Sequence, residues 1–378
     1  MNKLFPVLPL RPEETALSYA ARAAVWHTGG ALGPFLSDIG IRSTDLADGK
    51  AAAIALLAQK TGVDAGRLLS NTPVLQSKRR HVLNGQALSA EAFASPGTAF
   101  CPLCLHEDDQ AGQGRVGRSS WLLKFVRTCP AHRISLIRRG RGDFSDRLHD
   151  LSVHVPETGA ALLGLAGNAV TVSPLQNYLA DRLAGKAGPA WLDSQSLEQA
   201  WVATQLVGIL AAFGARARLG KLSDEEIDRA ERAGYAVTSR GEDGIRSFLM
   251  EVRRSFAGTG SRPGPQKVFG YFWDTIARGR DTKDLGDIRR ILRDVVFDSF
   301  ELEAGAMILG EPLPARRLHS CASLARETGL DPRTLQHALV TRGVISGQRE
   351  RRSDTVFDAS LGRAIAAGLG KAVHFVAL

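Results

Sequence analysis

The chain has 378 residues, of which 44% are hydrophobic and 23% charged, and its formal net charge is +9. That length allows two or three domains with cores of their own, and that composition excludes a disordered or fibrous protein. The excess of Lys and Arg favours a polyanionic partner, because neutralised phosphates release counterions.

The start, Met1-Asn2-Lys3-Leu4-Phe5-Pro6, carries no apolar run ahead of small cleavage-site residues. The longest apolar stretch, Trp201–Ala215, falls short of the roughly twenty residues that cross a bilayer. Three of the four cysteines sit in a metal-ligand pattern, which leaves no pairs for disulfides. These features lead us to expect a soluble, cytoplasmic protein with no membrane partner.

In chain order, Arg11–Thr28 shows helical spacing through Leu17, Ala20, Ala21, Ala24 and Val25, and Gly29-Gly30 ends it. A short helix is expected over Leu32–Ile39. Ala51–Lys60, the turn Thr61-Gly62-Val63 and Asp64–Ser70 read as helix, glycine turn, Asp N-cap and second helix. Residues 1–98 are therefore expected to form an amino-terminal helical, helix-turn-helix domain. Phe100–Arg139 changes to short apolar runs around a glycine-rich loop, which predicts a zinc-binding module over 99–142 with one or two strands and a short helix. The middle region, 143–257, resists parsing between Leu151 and Leu192, with helices expected at Leu197–Phe213, Asp224–Gly234 and Gly244–Phe256. Gly258–Pro265 reads as a linker. A carboxy-terminal helical domain, 266–378, follows, with helices over Val268–Ile276 and Asp287–Phe300 and a helix-turn-helix over Ser320–Gly343. The expected fold class is mainly α, with helix-turn-helix domains around a small zinc-ribbon-like module.

Two knuckles of equal spacing, Cys101-Pro102-Leu103-Cys104 and Cys129-Pro130-Ala131-His132, offer four donors to one tetrahedral Zn2+ ion. A Cys3His set leaves no open coordination position, so the ion would be structural and the chain is expected not to be an enzyme. His106 lacks a paired spacing, and Cys321 reads as a packed thiol. A zinc deaminase needs His-x-Glu and Pro-Cys-x-x-Cys, whereas here His106 is followed directly by Glu107 and Phe100 precedes Cys101. Gly112-Gln113-Gly114-Arg115-Val116-Gly117 matches a dinucleotide fingerprint as a string, but it opens no βαβ unit and reads as a turn. Gly214–Leu222 has the wrong glycine spacing for a phosphate loop, and Leu222 occupies the magnesium-binding position.

In the carboxy-terminal pair, Asp331-Pro332 offers an N-cap with Pro at the first helical position, and Leu335 and Leu339 give the second helix a buried face. Arg333, Thr334, Gln336, His337, Thr341 and Arg342 then project as groups able to bond base edges and phosphates. An ordinary helical hairpin with a polar face fits the same pattern. Basic clusters at Lys78-Arg79-Arg80-His81, Arg138-Arg139-Gly140-Arg141 and Arg349-Glu350-Arg351-Arg352 add weight to double-stranded DNA as the partner.

The order of several motifs resembles one family. Leu8-Pro9-Leu10-Arg11-Pro12-Glu13-Glu14 leads into Leu17-Ser18-Tyr19 and Phe35-Leu36-Ser37-Asp38-Ile39-Gly40. Phe100–Asp108 and Trp121–His132 follow, then Leu136-Ile137. Together these resemble the amino-terminal region of the TniQ/TnsD transposition proteins, over about 140 residues. The resemblance implies a target-selection factor of a Tn7-like or Tn5053-like element. Such factors bind target DNA, or a guide-RNA complex that has found it, and engage an AAA+ ATPase of the TniB/TnsC type that recruits a transposase. The chain lacks the second ligand set of two-ribbon members, which speaks against the guide-RNA association. A stand-alone zinc-containing helix-turn-helix transcription regulator would share the DNA-binding features.

Overall fold

The helical periodicity of the first seventy residues is realised as five helices: α1 (Ala16–Thr28), α2 (Leu32–Asp38), α3 (Ser43–Ala47), α4 (Ala51–Thr61) and α5 (Ala65–Ser70). The computed structural model describes residues 3–94, 97–140, 151–256, 263–278, 284–346 and 355–375. α1 begins at Ala16, later than expected, because Thr15 is its N-cap and accepts a bond from the Ser18 amide. Asp64 caps α5 by accepting from the Arg67 amide. Ala16, Leu17, Tyr19 and Ala20 pack with Leu36, Leu46, Ile54, Leu57 and Leu68 in one apolar core.

The expected helical domain over 1–98 also contains strands between Val74 and Ser89. Here β1 (Val74–Ser77), β2 (Arg80–Leu83) and β3 (Gln86–Ser89) form an antiparallel meander in that order. Asn84 and Gly85, with φ of 48° and 74°, make the two-residue turn between β2 and β3. That is the backbone a right-twisted hairpin needs, and Asn-Gly supplies it readily.

The next segment holds β4 (Thr98–Phe100), α6 (Pro102–Gln110) and β5 (Ile137–Arg139), with β4 and β5 antiparallel and Phe100 opposite Ile137. The stretch that resisted parsing folds as four short helices: α7 (Leu151–His154), α8 (Gly159–Leu163), α9 (Pro174–Leu183) and α10 (Ala190–Asp193). α11 (Leu197–Phe213) follows, and the chain divides within it into units 1–201 and 202–378.

In the second unit, α12 (Asp224–Thr238) starts at a capping box of Ser223 and Glu226, and α13 (Gly241–Ser255) carries a buried stripe through Ile245 and Leu249. Most of the expected linker Gly258–Pro265, residues 258–262, lies outside the described residues. The helix expected over Val268–Ile276 is two helices, α14 (Pro265–Phe269) and α15 (Tyr271–Ala277). Gly270 breaks them with φ 50° and ψ −121°; a Cβ there would lie 2.0 Å from the Ala215 carbonyl oxygen, so only glycine fits. α16 (Ile288–Ser299) buries Ile291, Leu292, Val295 and Val296.

After α16 come β6 (Met307–Ile308), β7 (Glu311–Pro312) and β8 (Leu318–His319), then α17 (Cys321–Thr328), α18 (Pro332–Thr341), β9 (Phe357–Asp358) and α19 (Ala359–Phe375). β6 pairs with β7, and β8 with β9. Gly329 ends α17 in the left-handed conformation, φ 71°. Asp331 caps α18 by accepting from the Arg333 and Thr334 amides, with Pro332 in the first turn. Leu324 and Ala325 of α17 and Leu335 and Leu339 of α18 are buried with Phe357 and Ile365, whereas Ala322 is exposed. Among the described residues no helix is long and apolar enough to cross a membrane.

Candidate metal centre

Cys101 stands at the N-cap of α6 and Cys104 in its first turn, with Pro102 between them fixing φ for helix entry. The second knuckle closes as a tight turn: the Cys129 amide donates to the Ile134 carbonyl at 2.9 Å, and the Arg133 amide donates to the Cys129 carbonyl at 2.8 Å. A bridge between Thr128 and Ser135 and the β4–β5 pairing then bring the knuckles together.

The donor atoms of Cys101, Cys104, Cys129 and His132 all lie within 4.8 Å of one another. Sγ of Cys104 is 3.6 Å from Sγ of Cys129, and Nδ1 of His132 is 3.5, 3.2 and 3.6 Å from the sulfurs of Cys101, Cys104 and Cys129. Thiolates held about 2.3 Å from a tetrahedral zinc would stand about 3.8 Å apart, so the spacing fits one ion. The three cysteines are buried. Three thiolates packed this closely call for a multivalent cation, and the donor set is the soft and borderline one that zinc takes. With four protein donors the set is closed, which suits a structural ion.

Glu107, which no ligand spacing singles out, places Oε1 2.9 Å from Nε2 of His132. Its position three residues after Cys104 on a helix is the signal that could have found it. His106 stays outside the donor cluster and pairs its Nε2 with Gln110 at 2.9 Å. Cys321 is half-buried against the core of α17 and α18.

The glycine-rich string at 112–117 is a loop docked on α1. The Gly117 amide donates to the Ser18 hydroxyl at 2.7 Å, and Nη1 of Arg22 donates to the Gln113 carbonyl at 2.9 Å. Asp108, on the same helix as Cys104, receives the Val116 amide at 2.9 Å. One helical turn of α6 therefore joins the donor cluster to the loop and the loop to α1.

The basic clusters fare differently. Arg138 and Arg139, whose cluster adds charge to the sequence count, are engaged within the first unit. Arg138 donates to the Leu123, Lys124 and Val126 carbonyls, while Arg139 grips both oxygens of Glu157 at 2.9 and 2.6 Å and lies over the Phe100 ring. These partners come from pairings across the fold, which linear charge counting does not register. Arg141 and the whole of Arg349–Arg352 lie outside the described residues. Lys78, Arg79 and Arg80 are exposed at the β1–β2 turn, with Arg79 3.2 Å from Glu91.

On α18, Arg333, Thr334, His337, Thr341 and Arg342 are exposed and Gln336 is half-buried. The Thr334 hydroxyl donates to Asp331 at 3.2 Å and that of Thr341 to the His337 carbonyl at 2.9 Å, so both hydroxyls have local partners.

No curated protein matches the chain. Residues 5–136 match the TniQ family model, a span from the amino-terminal segment through both knuckles. TniQ domains are associated with target selection in transposition, and residues 5–136 of this chain are similar to that domain.

Proposed function

We propose that the protein is a DNA-binding target-selection adaptor of a Tn7-like or Tn5053-like transposition system, linking target DNA to an AAA+ ATPase of the TniB/TnsC type and through it to a transposase. The observation that carries this reading is the TniQ match over 5–136, which ends just past His132 and so takes in the whole donor cluster. In this proposal Cys101, Cys104, Cys129 and His132 hold one structural Zn2+ ion, and the chain performs no chemistry of its own. The cytoplasm, where the DNA lies, is the proposed location.

The net charge of +9 supports a polyanionic partner. We assign sequence recognition to the exposed face of α18, with Arg333, Gln336, His337 and Arg342 toward base edges or phosphates and Thr334 and Thr341 at its margins. Lys78, Arg79 and Arg80 serve as phosphate contacts at the exposed hairpin turn. Ordinary pairing of two helices around Leu324, Leu335 and Leu339 explains their packing without DNA; the cationic and polar outer face is what favours recognition.

The test is co-purification of the tagged chain with an AAA+ ATPase of the TniB/TnsC type, alongside binding to duplex DNA over a salt series. Retention of the ATPase and an affinity that falls steeply with salt are expected. Salt-independent DNA binding and no retention would overturn the proposal.

A further inference from the structure

The two ring nitrogens of His132 face different surroundings. Nδ1 looks into the space between the three cysteine sulfurs, at 3.2 to 3.6 Å from each. Nε2 looks out of it and meets Oε1 of Glu107 at 2.9 Å. Cys104 and Glu107 are three residues apart on α6, so one helix face delivers both a sulfur donor and the carboxylate.

A neutral imidazole carries one proton, and the nitrogen without it holds the lone pair that can bind an ion. A carboxylate against Nε2 keeps the proton there, fixes the ring plane and makes Nδ1 the more basic donor. We propose that Glu107 is a positioning residue of the metal centre, holding His132 in the tautomer that presents Nδ1. The inference rests on the metal reading of the four donors. It adds a fifth side chain that touches no ion, and it separates Glu107 from its neighbours. Asp108 and Asp109 on the same helix are engaged by the Val116 amide and by Arg115.

The rival account is a solvent-exposed pair with no bearing on the ion, since the Glu107 side chain is 64% exposed. Chelator competition separates the two. Full-length wild-type, Glu107→Ala and Glu107→Gln chains, each loaded with one equivalent of zinc, are titrated with a chromophoric zinc chelator. Zinc affinity is expected to fall about 10- to 100-fold in Glu107→Ala. Glu107→Gln, whose amide oxygen still accepts from Nε2–H, should stay within about threefold of wild type. Spectra of the 15N-histidine-labelled wild-type chain should place the proton of His132 on Nε2 and the metal on Nδ1. Equal affinity of wild type and Glu107→Ala, or metal on Nε2, would overturn the inference and leave the zinc site standing. A wild-type chain that binds no zinc would remove both.

Discussion

Arg22 and Glu14 form an ion pair inside the first unit, with Nε 2.6 Å from Oε1 and side chains 2% and 0% exposed. Nη2 of Arg22 also donates to Oε2 of Glu14 at 2.8 Å, and its Nη1 and Nη2 reach the Gln113 and Pro9 carbonyls, both at 2.9 Å. Burial raises the Glu14 carboxyl above its usual range against the opposing pull of Arg22, so the pair holds only while the guanidinium is present.

Arg22→Ala should therefore destabilise the first unit by about 3 to 5 kcal/mol, because it leaves a buried carboxylate uncompensated and frees the 112–117 loop. Urea unfolding followed by tryptophan fluorescence measures this. A loss below about 1 kcal/mol would show that water reaches Glu14 and that the pair is not sealed.

Removing the ion should be felt well beyond the knuckles. Purified protein is expected to contain one zinc per chain, and Cys104→Ser to lose it together with much of the stability of the module, since metal binding at such a site is also folding energy. Because Asp108 ties α6 to Val116 and Ser18 ties Gly117 to α1, hydrogen exchange should rise in 112–117 and at the start of α1 as well. Protection there unchanged after chelation, or two zinc equivalents in the native protein, would contradict this account.

A pH dependence is expected in the second unit. His319 is fully buried, with Nδ1 2.9 Å from the Ser323 hydroxyl and Nε2 3.1 Å from Glu327. Burial pushes its imidazole below the ordinary 6.5, while Glu327 pulls the other way. The unfolded chain thus takes up a proton near 6.5 that the folded unit accepts only at lower pH. The stabilising contribution is complete above 6.5 and is lost as pH falls below it and through the lower folded value. The difference in unfolding midpoint between pH 7.5 and 5.5 should shrink in His319→Gln, and a difference that stays the same would assign the pH effect to another group.

Much of this architecture was legible because local signals coincided with tertiary needs. The N-caps Asp64 and Asp331, the turns at Gly62 and Gly329 and the stripe through Leu335 and Leu339 all read correctly, since capping and periodicity act within a few residues. The four donors were legible as well, because tetrahedral chemistry repeats its spacing. The meander at 74–89 has its local signal in the Asn84-Gly85 hairpin turn, while the basic run Lys78-Arg79-Arg80 interrupts the alternation of its strands. The break at Gly270 was not legible from neighbouring residues: its cause is a carbonyl at Ala215, fifty-five positions away. Arg138 and Arg139 show the same limit, since a cation's partners depend on pairings that linear order does not display.

Recognition and attachment to DNA should separate by mutation. Arg333 and Gln336 lie one turn apart at the start of α18, where a recognition helix meets base edges, while Lys78 and Arg80 stand on a hairpin turn suited to phosphates. Replacing Arg333 and Gln336 with Ala should relax site preference by about 1 to 3 kcal/mol per lost base contact. The salt slope should change by no more than about one unit, because only Arg333 carries charge. Replacing Lys78 and Arg80 with Ala should weaken binding to all sequences alike and lower the slope by about two units. Neither pair should change ATPase retention if that contact belongs to other parts of the TniQ domain. Fluorescence anisotropy on specific and random duplexes at several salt concentrations reads both effects. Unchanged specificity in the α18 variant, with preference lost in the hairpin variant, would reverse the assignment and place sequence reading in the first unit.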